Sequence, residues 1–220
     1  EVAAAARSHG CSVVVIEPQQ VPLLAVMGER IGTWFADLHR AHGVDLRLGT
    51  AVSAADLAGA TLVVVGVGVA PDASLAQGAG LAVSNGVLVD ATLRTSHPDV
   101  YAVGDIANHD HPLLGRRVRV EHWDTAIEQA KVAAHNLVGG QEAEAYDRLP
   151  HFFTDQYDLG MEYVGYAAAD ADTEVVVQGD LGAEQWRAYW VSGGVVVAGM
   201  HVNEWGAIDE IREQIGHPLA

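Results

Sequence analysis

The chain has 220 residues, half of them apolar, with 24 Gly, one Cys and 12 Lys and Arg against 29 Asp and Glu, a formal charge of −17. An apolar half of this size fills a packed core and excludes a disordered chain, while so acidic a surface repels phosphate backbones and weighs against nucleic-acid or anionic-membrane binding. The lone Cys11 leaves no internal disulfide framework and no cysteine zinc site, which fits a reducing cytoplasm. The longest apolar runs, 13–16, 62–65 and 195–199, fall far short of the ~20 residues that cross a bilayer, so neither a membrane span nor secretion is expected.

Residues 1–7, Glu-Val-Ala-Ala-Ala-Ala-Arg, have high helix propensity with no capping residue ahead of them, and Gly10 ends that helix. The apolar run 12–16, closed by Glu17, predicts a strand covered on both faces of a parallel sheet. Met27, Ile31, Trp34, Phe35 and Leu38 recur at helical spacing and predict an amphipathic helix over 27–42, stopped by Gly43. A short strand follows over 45–48, and Leu62-Val63-Val64-Val65-Gly66 predicts a second buried strand. Strand alternating with helix marks part of a doubly wound, Rossmann-type α/β domain.

Residues 73–104 are punctuated by glycine and predict two brief strands, 87–89 and 100–103, the second running into Gly104-Asp105. Ala126, Ala130, Ala133, Ala134 and Leu137 predict a helix that Gly139-Gly140 ends. Strands are then predicted over 163–166, 174–178, 186–191 and 195–202, with Ser192-Gly193-Gly194 as a hairpin turn, before a helix over 207–215. The expected fold class is α/β: a partial doubly wound nucleotide-binding domain, 1–72, then 73–145, then a C-terminal α+β domain with an antiparallel sheet, 146–220.

Three places carry candidate chemistry. Glu17, at the carboxyl end of a parallel strand, either accepts both hydroxyls of an adenosine ribose or is a solvated strand-end acid. Gly104-Asp105 is a turn, or a close backbone approach beside an acid that binds a hydroxylated ligand. Arg116, Arg117 and Arg119 form a dense basic cluster, either a solvated turn or a place where an acidic electron-transfer partner is steered. Asn108-His109-Asp110-His111 groups ligand-type residues without a third ligand placed by sequence, so no metal is expected there. Cys11 is expected to be a small core residue, and Trp186, Tyr189, Trp190 and Trp34 to be core aromatics.

The segment 95–105, a threonine leading into Tyr101-Ala102-Val103-Gly104-Asp105, closely resembles the second flavin motif of the FAD-dependent pyridine nucleotide-disulfide oxidoreductases. Gly66 to Asp72 resembles the Gly-x-Gly-x-x-Pro-Asn stretch of that family, Glu121-His122-Trp123 the residues facing the flavin ring, and His151 to Tyr157 the opening of the C-terminal domain in its ferredoxin reductase branch. The resemblance implies that Asp105 binds the ribitol of FAD, with Glu121, His122 and Trp123 beside the isoalloxazine and Phe153 also facing it. It further implies that Glu17 takes the NADH ribose and that Glu1, the catalytic candidate, lies near the nicotinamide.

The implied activity is transfer of electrons from NADH through FAD to a small iron–sulfur ferredoxin. The 220 residues contain no Gly-x-Gly-x-x-Gly, so the same resemblance implies the C-terminal portion of a longer enzyme. A second reading, from a different class, is a non-catalytic binding or dimerisation module with a vestigial flavin site; an apoptosis-inducing-factor-like or NADH-oxidase-like relative would share the Tyr-Ala-x-Gly-Asp motif.

Overall fold

The computed structural model describes residues 1–139, 142–167 and 172–219. The chain divides into two compact units, one made of Glu1–Gly66 with Phe153–Ala220 and the other of Val67–Phe152.

The first unit opens with helix α1 (Val2–Ser8) and strand β1 (Val14–Glu17). Helix α2 (Leu24–Ala41) follows, broken near its start at Gly28, where φ is 76°. Its apolar stripe is buried as the spacing predicts: Met27, Ile31 and Phe35 are almost fully enclosed. Trp34 is half-buried, gives its indole N–H to the Leu181 carbonyl at 2.8 Å and meets Trp186 edge-on at 4.9 Å, which packs α2 against the C-terminal part of the same unit. Strand β2 (Asp45–Leu48) pairs with β1 in parallel, Val14 opposite Asp45, and a short helix α3 (Ala54–Leu57) follows with a Ser53 and Asp56 capping box.

Three expectations fail here. β1 is half-exposed rather than covered on both faces, because its sheet among the described residues is two strands wide. For the same reason 62–66 forms no strand: a buried strand needs a neighbour to take its N–H and C=O groups, and this run has none among the described residues. Leu62, Val64 and Val65 are 81%, 61% and 73% exposed. Cys11 is also exposed, not core, since it precedes β1 in the loop that Arg7 clamps through the Cys11 carbonyl.

The second unit holds helix α4 (Ser74–Gly78), strand β3 (Val87–Val89), a 3-10 turn (Gly104–Ile106), strands β4 (Ala107–His111) and β5 (Arg116–Val118), and helix α5 (Trp123–Leu137). β3 and β4 are parallel and β4 and β5 antiparallel. The predicted strand over 100–103 reduces to an antiparallel bridge between Tyr101 and Arg94, closed by Thr95 N–H to the Val100 carbonyl and Ala102 N–H to the Leu93 carbonyl. Tyr101, Ala102 and Val103 still pack on the core of Val89, Leu93, Ala107, Ala133 and Tyr146. The His-x-His stretch is β4, whose alternation buries both His109 and His111.

The chain then builds β6 (His151–Gln156), β7 (Leu159–Gly165), β8 (Thr173–Gln178), β9 (Trp186–Ser192) and β10 (Val195–Val202), a five-stranded sheet in the order β6-β7-β10-β9-β8, and helix α6 (Ala207–Gln214). The β9–β10 hairpin turns on Gly193 and Gly194, both at positive φ, as the sequence predicts. Trp186, Tyr189 and Trp190 are core residues, with Val196, Met200 and, from α6, Ile211. The expected mixed α/β class with an antiparallel C-terminal sheet is thus present. No helix among the described residues is long and apolar enough to cross a membrane.

Candidate functional site

In the second unit, the site grows from Gly104. Its φ of +71° belongs to the left-handed region, and a Cβ there would lie 3.2 Å from the Ala126 Cβ, so a glycine lets the 3-10 turn press against the first turn of α5. The buried Gly104 N–H donates to Gln129 Oε1 at 2.8 Å and fixes that approach. Asp105, the next residue, is exposed. Arg119 donates to the Asp105 carbonyl at 3.1 Å and pairs with Glu121 at 2.7 Å.

His122 is the N-cap residue of α5, its ring 4.9 Å from Phe152. Burial holds its pKa below the ordinary histidine value, His151 adds to this, and the charges of Asp105, Asp124 and Glu121 oppose it. The ring is therefore neutral at pH 7, and its buried Nδ1 has no hydrogen-bond partner among the described residues. Trp123 opens the helix with 73% of its surface exposed. Asp105, Glu121, His122 and Trp123 thus converge where the first N–H groups of a 15-residue helix lack intrahelical acceptors. An exposed carboxylate, an indole face and a polar atom without a partner suit a polyhydroxylated chain ending in a planar heteroaromatic ring. These residues fit the ribitol and isoalloxazine end of FAD.

In the first unit, Glu17 ends β1 half-buried, its Oε1 accepting the Gln19 N–H at 2.8 Å. Glu1 is exposed and accepts a hydrogen bond from Thr154 Oγ1 at 2.5 Å, which ties it to the strand that also carries Phe153, itself 52% exposed. Gly66 has open space around it. The structure therefore brings Gly104, Asp105, Glu121, His122 and Trp123 together in one unit, and Glu1 with the strand of Phe153 in the other.

Arg117 is exposed but donates to the Val89 and Asn108 carbonyls, and the Arg119 side chain is only 12% exposed, so the basic run is woven into its own unit. No metal-holding cluster occurs among the described residues. Gln129 and Phe152 were missed by sequence reasoning; the only signal for Gln129 was its helical spacing from Ala126 and Ala133, which put it on the buried face.

The chain belongs to the pyridine nucleotide-disulphide oxidoreductase family, whose model matches residues 1–130, and a reductase C-terminal model matches 151–218. It is 40% identical over 218 residues to the ferredoxin--NAD(+) reductase component of the anthranilate 1,2-dioxygenase system of Burkholderia cepacia, covering 92% of this chain and 53% of that protein. Among solved structures it resembles the ferredoxin reductase for the CYP199A2 system from Rhodopseudomonas palustris, with a TM-score of 0.82 and 32% identity over 95% of this chain and 54% of that one. It also resembles putidaredoxin reductase in its covalent complex with putidaredoxin, with a TM-score of 0.86 and 30% identity over 96% of this chain and 53% of that one. The chain spans about half the length of the curated relatives it matches. The family works with FAD and a pyridine nucleotide.

Proposed function

We propose that the chain is the C-terminal portion of an FAD-dependent reductase that passes electrons from NADH to a small iron–sulfur ferredoxin. The observation that carries this reading is the convergence of Asp105, Glu121, His122 and Trp123 at the start of α5. Bound FAD accepts a hydride and releases electrons one at a time. The work of this chain is to bind and orient. Asp105 accepts hydrogen bonds from the ribitol hydroxyls, and a carboxylate makes such bonds about twice as strong as a neutral acceptor does. Trp123, with Glu121 and neutral His122, supplies the surface against which the flavin ring lies.

In this reading Glu17 holds the two ribose hydroxyls of NADH and disfavours a 2′-phosphate by charge. Glu1, oriented by Thr154, stands near the nicotinamide as the catalytic candidate. Residues 1–72 are part of a Rossmann-type NAD-binding domain, 73–145 the returning segment of a flavin domain and 146–220 the reductase C-terminal domain. An acidic ferredoxin face docks near Arg116, Arg117 and Arg119, with Arg116 and Arg117 the exposed members. The compartment is the cytoplasm. Titrating the purified chain with FAD tests the reading: a yellow complex absorbing near ~450 nm and bleached by NADH supports it. A colourless chain that takes up no FAD assigns it instead to the binding or dimerisation class.

A further inference from the structure

We infer that Arg119 is a positioning residue, which sets the Asp105 turn and the Glu121 segment in register before any flavin arrives; the flavin part of this inference rests on the function proposed above. The first observation is the reach of its guanidinium. Nε donates to Asn85 Oδ1 at 3.1 Å, Nη1 to the Asp105 carbonyl at 3.1 Å, and Nη1 pairs with Glu121 Oε1 at 2.7 Å. Two segments distant in sequence, and the neighbouring Glu121, therefore end on one side chain, which the planar, delocalised fork of arginine allows and the single ammonium of lysine does not.

The second observation is that the Asn85 end is itself anchored. Asn85 and Gly86 both have positive φ in the tight turn between Val83 and Val87, and the Asn108 amide donates to the Ser84 carbonyl at 2.7 Å. Gly86 lies so close to the Ile106 carbonyl that a Cβ would sit 2.4 Å from it, with the Arg119 stem at 3.2 Å. The turn, the 3-10 segment and the arginine stem form one packed layer under Asp105. A basic residue whose side chain is 12% exposed and committed to two carbonyl-type acceptors and a carboxylate serves the site from behind.

Arg119→Gln and Arg119→Lys in the full 220-residue chain test this, with Arg212→Gln on the exposed face of α6 as a control. The expected result for Arg119→Gln is faster amide exchange by about tenfold or more in peptides covering 83–87, 104–107 and 119–122, with exchange in the C-terminal half of α5 unchanged and FAD affinity lowered about tenfold. Arg119→Lys keeps one contact at a time and recovers part of both losses. Exchange that stays at parental values in those three peptides overturns the inference, as does a uniform rise across the unit, which would mark a general structural role. If Arg119→Gln does not fold, a Lys variant with parental exchange in all three segments overturns it equally. Faster local exchange in a chain whose parent binds no FAD upholds the bridge and overturns only the flavin reading.

Discussion

Acid should loosen the unit that carries Asp105, and His109 on β4 sets the size of the effect. Its ring is 1% exposed, tilted against His111 at 5.2 Å and edge-on to Tyr146 at 5.6 Å. Nε2–H donates to the Ala91 carbonyl at 3.3 Å and the buried Nδ1 has no partner among the described residues. Burial lowers its pKa from 6.5 to about 4; His111 and Arg117 push the same way, while the Ala91 carbonyl and Asp110 oppose. The folded state thus keeps the ring neutral over a range where the unfolded chain takes up a proton. Stability is level above about pH 7, falls as the pH drops from 6.5 toward 4, and is level again below. The loss from this one residue is about 2 kcal/mol by pH 5 and about 3 kcal/mol by pH 4. His111, also lowered by burial, adds to it with the same sign. Urea unfolding at pH 7 and pH 5, followed by far-ultraviolet circular dichroism, reads the difference. His109→Leu should unfold more easily at pH 7, because the Ala91 carbonyl loses its donor, yet lose about 2 kcal/mol less than the parent between the two pH values. A variant that keeps the parental pH dependence would refute the reasoning.

Gly104→Ala should cost about 2 kcal/mol through its positive φ and the contact with Ala126, read as a lower urea midpoint; a parental midpoint would contradict the packing described. Trp34→Phe should destabilise the unit of Glu1–Gly66 and Phe153–Ala220 by about 1 kcal/mol or more, since the Leu181 carbonyl loses its donor, and thermal unfolding checks it. Glu17→Gln should weaken NADH binding about tenfold while leaving NADPH binding nearly unchanged, measured by fluorescence titration of the two nucleotides.

Much of the scaffold was legible because period and punctuation agree. The stripe from Met27 to Phe35, the strands of the C-terminal sheet and the Gly193-Gly194 turn each carry local signals that tertiary packing reinforces. The run 62–66 misled because apolar composition reports what a segment would bury, and burial depends on neighbours that lie elsewhere in sequence. β4 was hidden because its histidines read as polar loop residues, although the pleat turns both rings inward. Cys11 misled for a related reason: a small apolar side chain beside a strand is core only if the loop carrying it is covered.

At the site, the motif through Gly104-Asp105 marked the place, since the need for a left-handed backbone is written in the glycine itself. The role of Arg119 was not legible. Its acceptors are 34, 14 and 2 residues away in sequence, and nothing in a run of arginines says which one is withdrawn to bridge them.

The claim on which the rest stands is that Asp105 is the acid that meets a flavin. Isothermal titration of FAD into the parent chain and into Asp105→Ala, a substitution at an exposed residue, tests it most directly. The account predicts binding to the parent and an affinity at least about tenfold weaker in the variant at an unchanged unfolding midpoint. Equal affinity in the two chains would contradict it.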